Sequence, residues 1–151
     1  MSIRRTASGV VGLALTAVSV SVPAAADAPA PDALAKSCGF EFTWTQPTVL
    51  PAQAQILGRG FAQCDVRPDE HVLTLGLEYK QGDKWVNAAS ITDRTPPPVP
   101  PGVQTYDVSA ACYSGTWRIS AGVTGSLQGV PFVFSDHSRE RDVPTSQCPS
   151  R

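Results

Sequence analysis

From residue 37 onward the apolar residues recur at every second position, and no stretch of useful length carries a helical period. "GFEFTWT" alternates Phe40, Phe42 and Trp44, and "AQILGRGFAQC" follows a turn around Pro47 to Ala52. "HVLTLGLEYK" places Leu73, Leu75, Leu77 and Tyr79 on one face, and "QGDK" turns it into "WVNAASI". "TDRTPPPVPPG" reads as a long crossing. "VQTYDVSAAC" aligns Tyr106, Val108, Ala110 and Cys112, and "GTWRISAGV" aligns Trp117, Ile119, Ala121 and Val123. "GSLQG" turns into "VPFVF", with Phe132 and Phe134, and the polar "SDHSRERDV" has room for one last edge strand. Seven or eight short strands separated by turn signals predict an all-β, immunoglobulin-like antiparallel sandwich.

The first two strands suggest a register. If they form a hairpin about residue 51, paired positions sum to 102, and Trp44 faces Gly58, Phe42 faces Gly60, Phe40 faces Ala62 and Cys38 faces Cys64. Aromatic rings then cover bare glycine backbone, and two cysteines stand directly opposed at a separation a disulfide spans. A slip of one residue would turn the aromatic face away. The pairing Cys38–Cys64 follows, which leaves Cys112–Cys148 largely by elimination, with the tail beyond Pro144 curling back. The rival is an immunoglobulin-like Cys64–Cys112 with Cys38–Cys148. Cys112 and Trp117 lie an odd number of residues apart, so one unbroken strand would point them to opposite faces; Gly115 supplies a bulge or bend that resets the phase. Trp117 is then a core residue.

The chain ahead of residue 37 has a different character. Arg4 and Arg5 precede an apolar run from Ala7 to Val22, then Pro23 and the small residues Ala24, Ala25 and Ala26. This is the order of a secretory signal peptide over residues 1–26, cleaved before Asp27. The apolar run is shorter than the ~20 residues a spanning helix needs. Residues 27–36, rich in Ala, Pro and Asp, read as a flexible leader, and 37–151 as a single domain. After cleavage 10 Lys and Arg stand against 13 Asp and Glu, a net charge of −3 with no charge block, which weighs against nucleic acid or an anionic membrane as partner. All four cysteines follow the cleavage site, and an even count in an exported chain reads as two disulfides. They are too far apart for a zinc site.

Nothing in the sequence assembles a catalytic centre, and no cofactor or metal is expected. In "SDHS", Ser135 to Ser138, neighbouring side chains on an extended chain point apart, which suits a strand end better than a nucleophilic triad. "CDVRPDEH" gathers Asp65, Asp69, Glu70 and His71, but it contains an ordinary turn and lacks the glycine of a tight calcium loop. Trp85 and Tyr113 are the best exposed aromatics for stacking on a sugar. The run "TPPPVPP" is stiff and extended. It reads first as a crossing between sheets, and second as a pre-organised docking arm with Arg94, Pro97, Pro98 and Pro100 as binding residues.

The stretch "CYSGTWR", Cys112 to Arg118, resembles small, mostly uncharacterised secreted β-sandwich proteins of actinomycetes, which share a signal peptide and two disulfides. That resemblance implies an extracellular protein and carries over no catalytic residue. The resulting expectation is a secreted, non-enzymatic binding protein whose partner is an extracellular protein or a cell-wall component. The alternatives are a proteinaceous inhibitor of an extracellular protease or amylase, and a carbohydrate-binding module. The exported protein is expected to begin at Asp27, which intact-mass measurement checks; a mass that retains Arg4 and Arg5 would contradict secretion as a soluble chain.

Overall fold

A computed structural model describes residues 38–150. The signal peptide, the leader and the Asp27 terminus lie outside the described residues. Nine strands run in order: β1 Cys38–Phe42, β2 Thr48–Leu50, β3 Gln55–Cys64, β4 Glu70–Gln81, β5 Lys84–Asp93, β6 Gln104–Ala111, β7 Gly115–Leu127, β8 Val130–His137 and β9 Arg141–Val143. All pairings are antiparallel. In one sheet β3 is central, with β6 along one side and β1 and β2 end to end along the other. In the second the order is β5, β4, β7, with β8 and β9 end to end on the far side of β7.

The period of two produces the shared core. Leu73, Leu75 and Leu77 of β4 and Ile119 of β7 are 0 % exposed, and Trp117, Ala121 and Val123 continue the β7 row. From the other sheet Ile56, Ala62, Tyr106 and Val108 join the same cluster. Each fully buried aliphatic side chain contributes about 1.5–3 kcal/mol relative to exposure. Trp117 completes its burial by donating its indole N–H to the Tyr113 carbonyl at 2.9 Å.

The register of β1 on β3 is the expected one over its whole length: Cys38 opposes Cys64, Phe40 opposes Ala62 and Phe42 opposes Gly60. Shielding of Gly60 is diagonal, however. The Phe40 ring, two residues along, occupies the space where a Gly60 Cβ would stand. The expected pair of Trp44 with Gly58 does not form. Thr48 opposes Leu57, so five residues, 43–47, stand opposite two, 58 and 59. The three extra residues throw Trp44 outward, where Arg59 lies 5.2 Å from its ring centre. Gly58 instead packs beneath Val108 and Ile119.

This interruption has a partner. The break between β8 and β9 lies against it: the Arg139 N–H donates to the Thr45 carbonyl at 2.8 Å. The Arg141 guanidinium donates to the Pro47 carbonyl at 2.9 Å. Both outer strands therefore break where they clasp one another, which is why nine strands appear instead of seven or eight.

Both disulfides are Cys38–Cys64 and Cys112–Cys148. The tail curls back after β9 through a turn in which the Gln147 N–H donates to the Pro144 carbonyl at 3.0 Å, and the Ser114 N–H donates to the Pro149 carbonyl at 2.8 Å. The phase change between Cys112 and Trp117 is a crossing between sheets, not a bulge within one strand. β6 ends at Ala111, and β7 opens at Gly115 with φ +133°, a backbone glycine alone adopts readily. Nor is Gly125 a turn residue. It lies within β7 opposite Phe132, whose ring covers it as Phe40 covers Gly60.

Gly60→Ala drives a methyl group into the Phe40 ring and the Glu41 carbonyl, whereas nothing lies within 4 Å of a Cβ at Gly122. Urea unfolding with disulfides intact is expected to show a loss of about 1–3 kcal/mol for Gly60→Ala, the usual cost of overpacking, and little change for Gly122→Ala.

Candidate functional site

The polar motifs of the sequence are spread through the fold. In the segment from Ser135 to Ser138, the Asp136 carboxylate accepts the His137 N–H at 2.7 Å. Ser138 Oγ accepts the Ile119 N–H at 2.8 Å. Alternation puts Ser135 and His137 on one face of β8 and Asp136 on the other. Asp69 ties the β3–β4 connection to the β7–β8 turn by accepting the Gly129 N–H at 3.0 Å. No group of three or more metal-ligating side chains occurs among the described residues.

Trp85 is half-buried, with the Arg118 guanidinium 4.2 Å from its ring centre and Arg118 in turn 2.6 Å from Glu78 Oε2. A sugar would have to displace that guanidinium from the face it covers. Tyr113 packs against the core cluster.

The proline crossing is fastened to the end of β3. The Cys64 N–H donates to the Pro98 carbonyl at 3.2 Å, and Gln63 Nε2 donates to the Gly102 carbonyl at 2.8 Å. At its start the Asp93 carboxylate accepts the Thr95 N–H at 3.0 Å. Pro97 is fully buried and Pro98 half-buried, so Pro97 does not form part of a docking face as the sequence suggested. Arg94 and Pro100 are exposed, as is Val99.

A different feature concentrates the accessible apolar surface. β1 and β8 lie beside each other at one open side of the sandwich without pairing, and between them runs a cleft of about 310 Å³. Its walls are residues 38–40 of β1 and 130–134 of β8, with Val123 and Leu127 of β7 below. Phe132 reaches deep because Gly125 opposite has no side chain. Val130 and Phe134 at the lip remain 56 % and 43 % exposed. None of the lining residues is a carboxylate, a lysine or an arginine.

One lining side chain is polar. His71 of β4, 3 % exposed, is the buried polar residue of the core, and its Nδ1 has no hydrogen-bond partner. Burial lowers its pKa below the ordinary 6.5, opposed by the Asp93 carboxylate. Asp93 itself is held low, chiefly by the Thr95 N–H. Nearby the Tyr106 hydroxyl, also buried, lies beside Asp93 without closing a hydrogen bond of ordinary geometry, and burial followed by that carboxylate pushes its pKa up to about 12. Both rings are therefore neutral at neutral pH. In the sequence His71 looked like one member of an acidic turn. The signal that places it inside is its phase with Leu73, Leu75 and Leu77.

A histidine whose folded pKa is depressed resists a proton that the unfolded chain accepts. Its contribution to stability is complete above the unfolded value near 6.5 and is lost as pH falls below it toward the folded pKa. Urea unfolding across pH 5 to 8 should show stability declining below about pH 6.5, and His71→Phe should flatten that part of the profile. No protein-family model, curated protein or solved structure matches this chain.

Proposed function

We propose that this chain is an exported, non-enzymatic binding protein whose ligand enters the cleft between β1 and β8. The observation that carries this reading is an open apolar cavity lined by a single buried polar ring, His71, whose Nδ1 has no hydrogen-bond partner. Ligand sites share that composition: mostly apolar walls and few polar groups. The two disulfides suit an oxidising compartment, in keeping with the signal-like order of residues 1–26. An immunoglobulin-like sandwich is supported by the strand order. A sheet of β1/β2, β3 and β6 faces one of β5, β4, β7 and β8/β9, with the chain crossing between them after β3, β5 and β6. The cysteine pairing departs from immunoglobulin domains proper, where one bridge joins the two sheets.

A second reading keeps the proline crossing as the contact surface, as in an inhibitor of an extracellular hydrolase. Favouring it, Arg94, Val99 and Pro100 stand exposed on a segment fastened at both ends. It commits to an extracellular protein as partner, whereas the cleft commits to a small molecule, free or displayed on the cell wall.

Fluorescence titration with uncharged 1-aminonaphthalene tests the cleft. Phe134→Asp, at a half-exposed lip position, is expected to weaken binding more than tenfold, about 1.4 kcal/mol, while Arg94→Ala with Pro100→Ser leaves it unchanged. Binding unaffected by Phe134→Asp would remove the cleft as the site. Inhibition of secreted proteases or amylases, lost only in the Arg94 and Pro100 variant, would establish the second reading instead.

A further inference from the structure

The cleft also restricts the chemistry of what it holds. Its volume of about 310 Å³ is the first restriction. That is roughly twice the ~150 Å³ apolar cavity that accommodates benzene, and it lies at the small end of ligand pockets. The space suits a body of about ten heavy atoms. The second restriction is charge. The walls offer no lysine, arginine, aspartate or glutamate, so an ionised carboxylate, phosphate or ammonium would enter without a counter-charge. The third is the His71 imidazole, which lines the cleft and whose enclosed Nδ1 lacks a partner.

The groups around His71 decide what kind of polar atom completes it. Asp93 acts on the ring electrostatically but does not line the cleft. A carboxylate favours the tautomer whose N–H faces it, which leaves the other nitrogen as an acceptor. Burial keeps the ring neutral, and a half-turn about its second side-chain torsion exchanges the edge presented to the cleft. An acceptor nitrogen calls for a donor. Among uncharged small groups a hydroxyl supplies one and, being an acceptor as well, also fits the opposite tautomer.

We infer that the cleft binds an uncharged amphiphile of about ten heavy atoms whose hydroxyl hydrogen-bonds the His71 imidazole while its apolar body lies between β1 and β8. The inference rests on the cleft being the binding site. Replacing the hydroxyl by an ether oxygen removes the donor, and replacing it by a carboxylate introduces the uncompensated charge, so both changes weaken binding.

Three probes of matched size test this on the protein recovered from an expressing culture, by NMR titration followed at the backbone amides of Val123 and Phe132. They are 1-octanol, heptyl methyl ether and octanoate, the last at pH 8. Octanol is expected to bind at least tenfold more tightly than either of the others. In His71→Phe the octanol-to-ether ratio should fall below about threefold while the ether still binds. Octanol and ether binding within threefold of each other in the unaltered protein would overturn the hydroxyl assignment and leave the cleft reading standing. Octanoate binding most tightly would overturn the charge argument in the same way. No shift at the cleft amides with any probe would overturn both this inference and the cleft itself. Because the comparison among probes needs no variant, a folding defect in His71→Phe does not remove the test.

Discussion

β1 has five residues and one strand partner, and much of the sandwich on its side depends on its register against β3. Two unrelated requirements fix that register together. Cys38 must stand opposite Cys64 to be bonded to it, and the Phe40 ring must lie where Gly60 leaves room. Neither survives a slip of one residue, because a slip exchanges the faces of the strand. Placed so, residues 38–40 form one wall of the cleft, and the same Cys64 end receives the carbonyl of Pro98. The cleft and the proline crossing thus hang from opposite sides of one short, covalently closed strand pair.

The clasp between the two outer edges is the counterpart of that pair. Thr45 and Pro47 carbonyls meet the Arg139 N–H and the Arg141 guanidinium, so β1 and β8 are drawn together beyond the cleft and stay apart along it. An uninterrupted first strand would have continued its ladder along β3 and held these carbonyls in it. Three additional residues in the 43–47 segment release them. On the outer faces, meanwhile, charges satisfy one another: Arg59 grips Asp107 with two bonds and lies over Trp44, while Arg118 bonds Glu78 and covers Trp85. The polar capacity left over within the core is concentrated at His71 and Tyr106.

Local rules made part of this legible in the sequence. The alternation of Leu73, Leu75 and Leu77, or of Trp117, Ile119, Ala121 and Val123, needs no knowledge of the rest of the chain. The opposition of Cys38 and Cys64 needs only a hairpin. What escaped depends on distant partners. The 43–47 interruption is stabilised by residues 139 and 141, almost a hundred positions later, so "GFEFTWT" reads as continuous when taken alone. Gly125 looks like a turn residue because glycine is common in turns, and only its pairing with Phe132 makes it a strand residue. Pro97 looks exposed because proline loops usually are; in the fold it is buried within a crossing that Pro98 and Gly102 fasten to the end of β3. The cleft is harder still, since it is a gap between two strands that do not pair. Of its parts the alternation of Phe132 and Phe134 was visible, whereas His71 read as part of an acidic turn although it shares the phase of the leucines.

Leaving β8 unpaired toward β1 has a consequence for the protein's colloidal behaviour. The strand pairs with β7 alone among the described strands, carries Val130, Val133 and Phe134 at 56 %, 80 % and 43 % exposure, and has no lysine. Such an edge is a template on which a second chain could add its own strand and begin a fibre. Pro131 stands within it. Its ring leaves one backbone nitrogen without a hydrogen, so an incoming strand meets a gap in the ladder close to the most apolar positions. The residue that interrupts polymerisation does so without adding charge to the cleft it borders, where a lysine gatekeeper would have changed what the cleft admits.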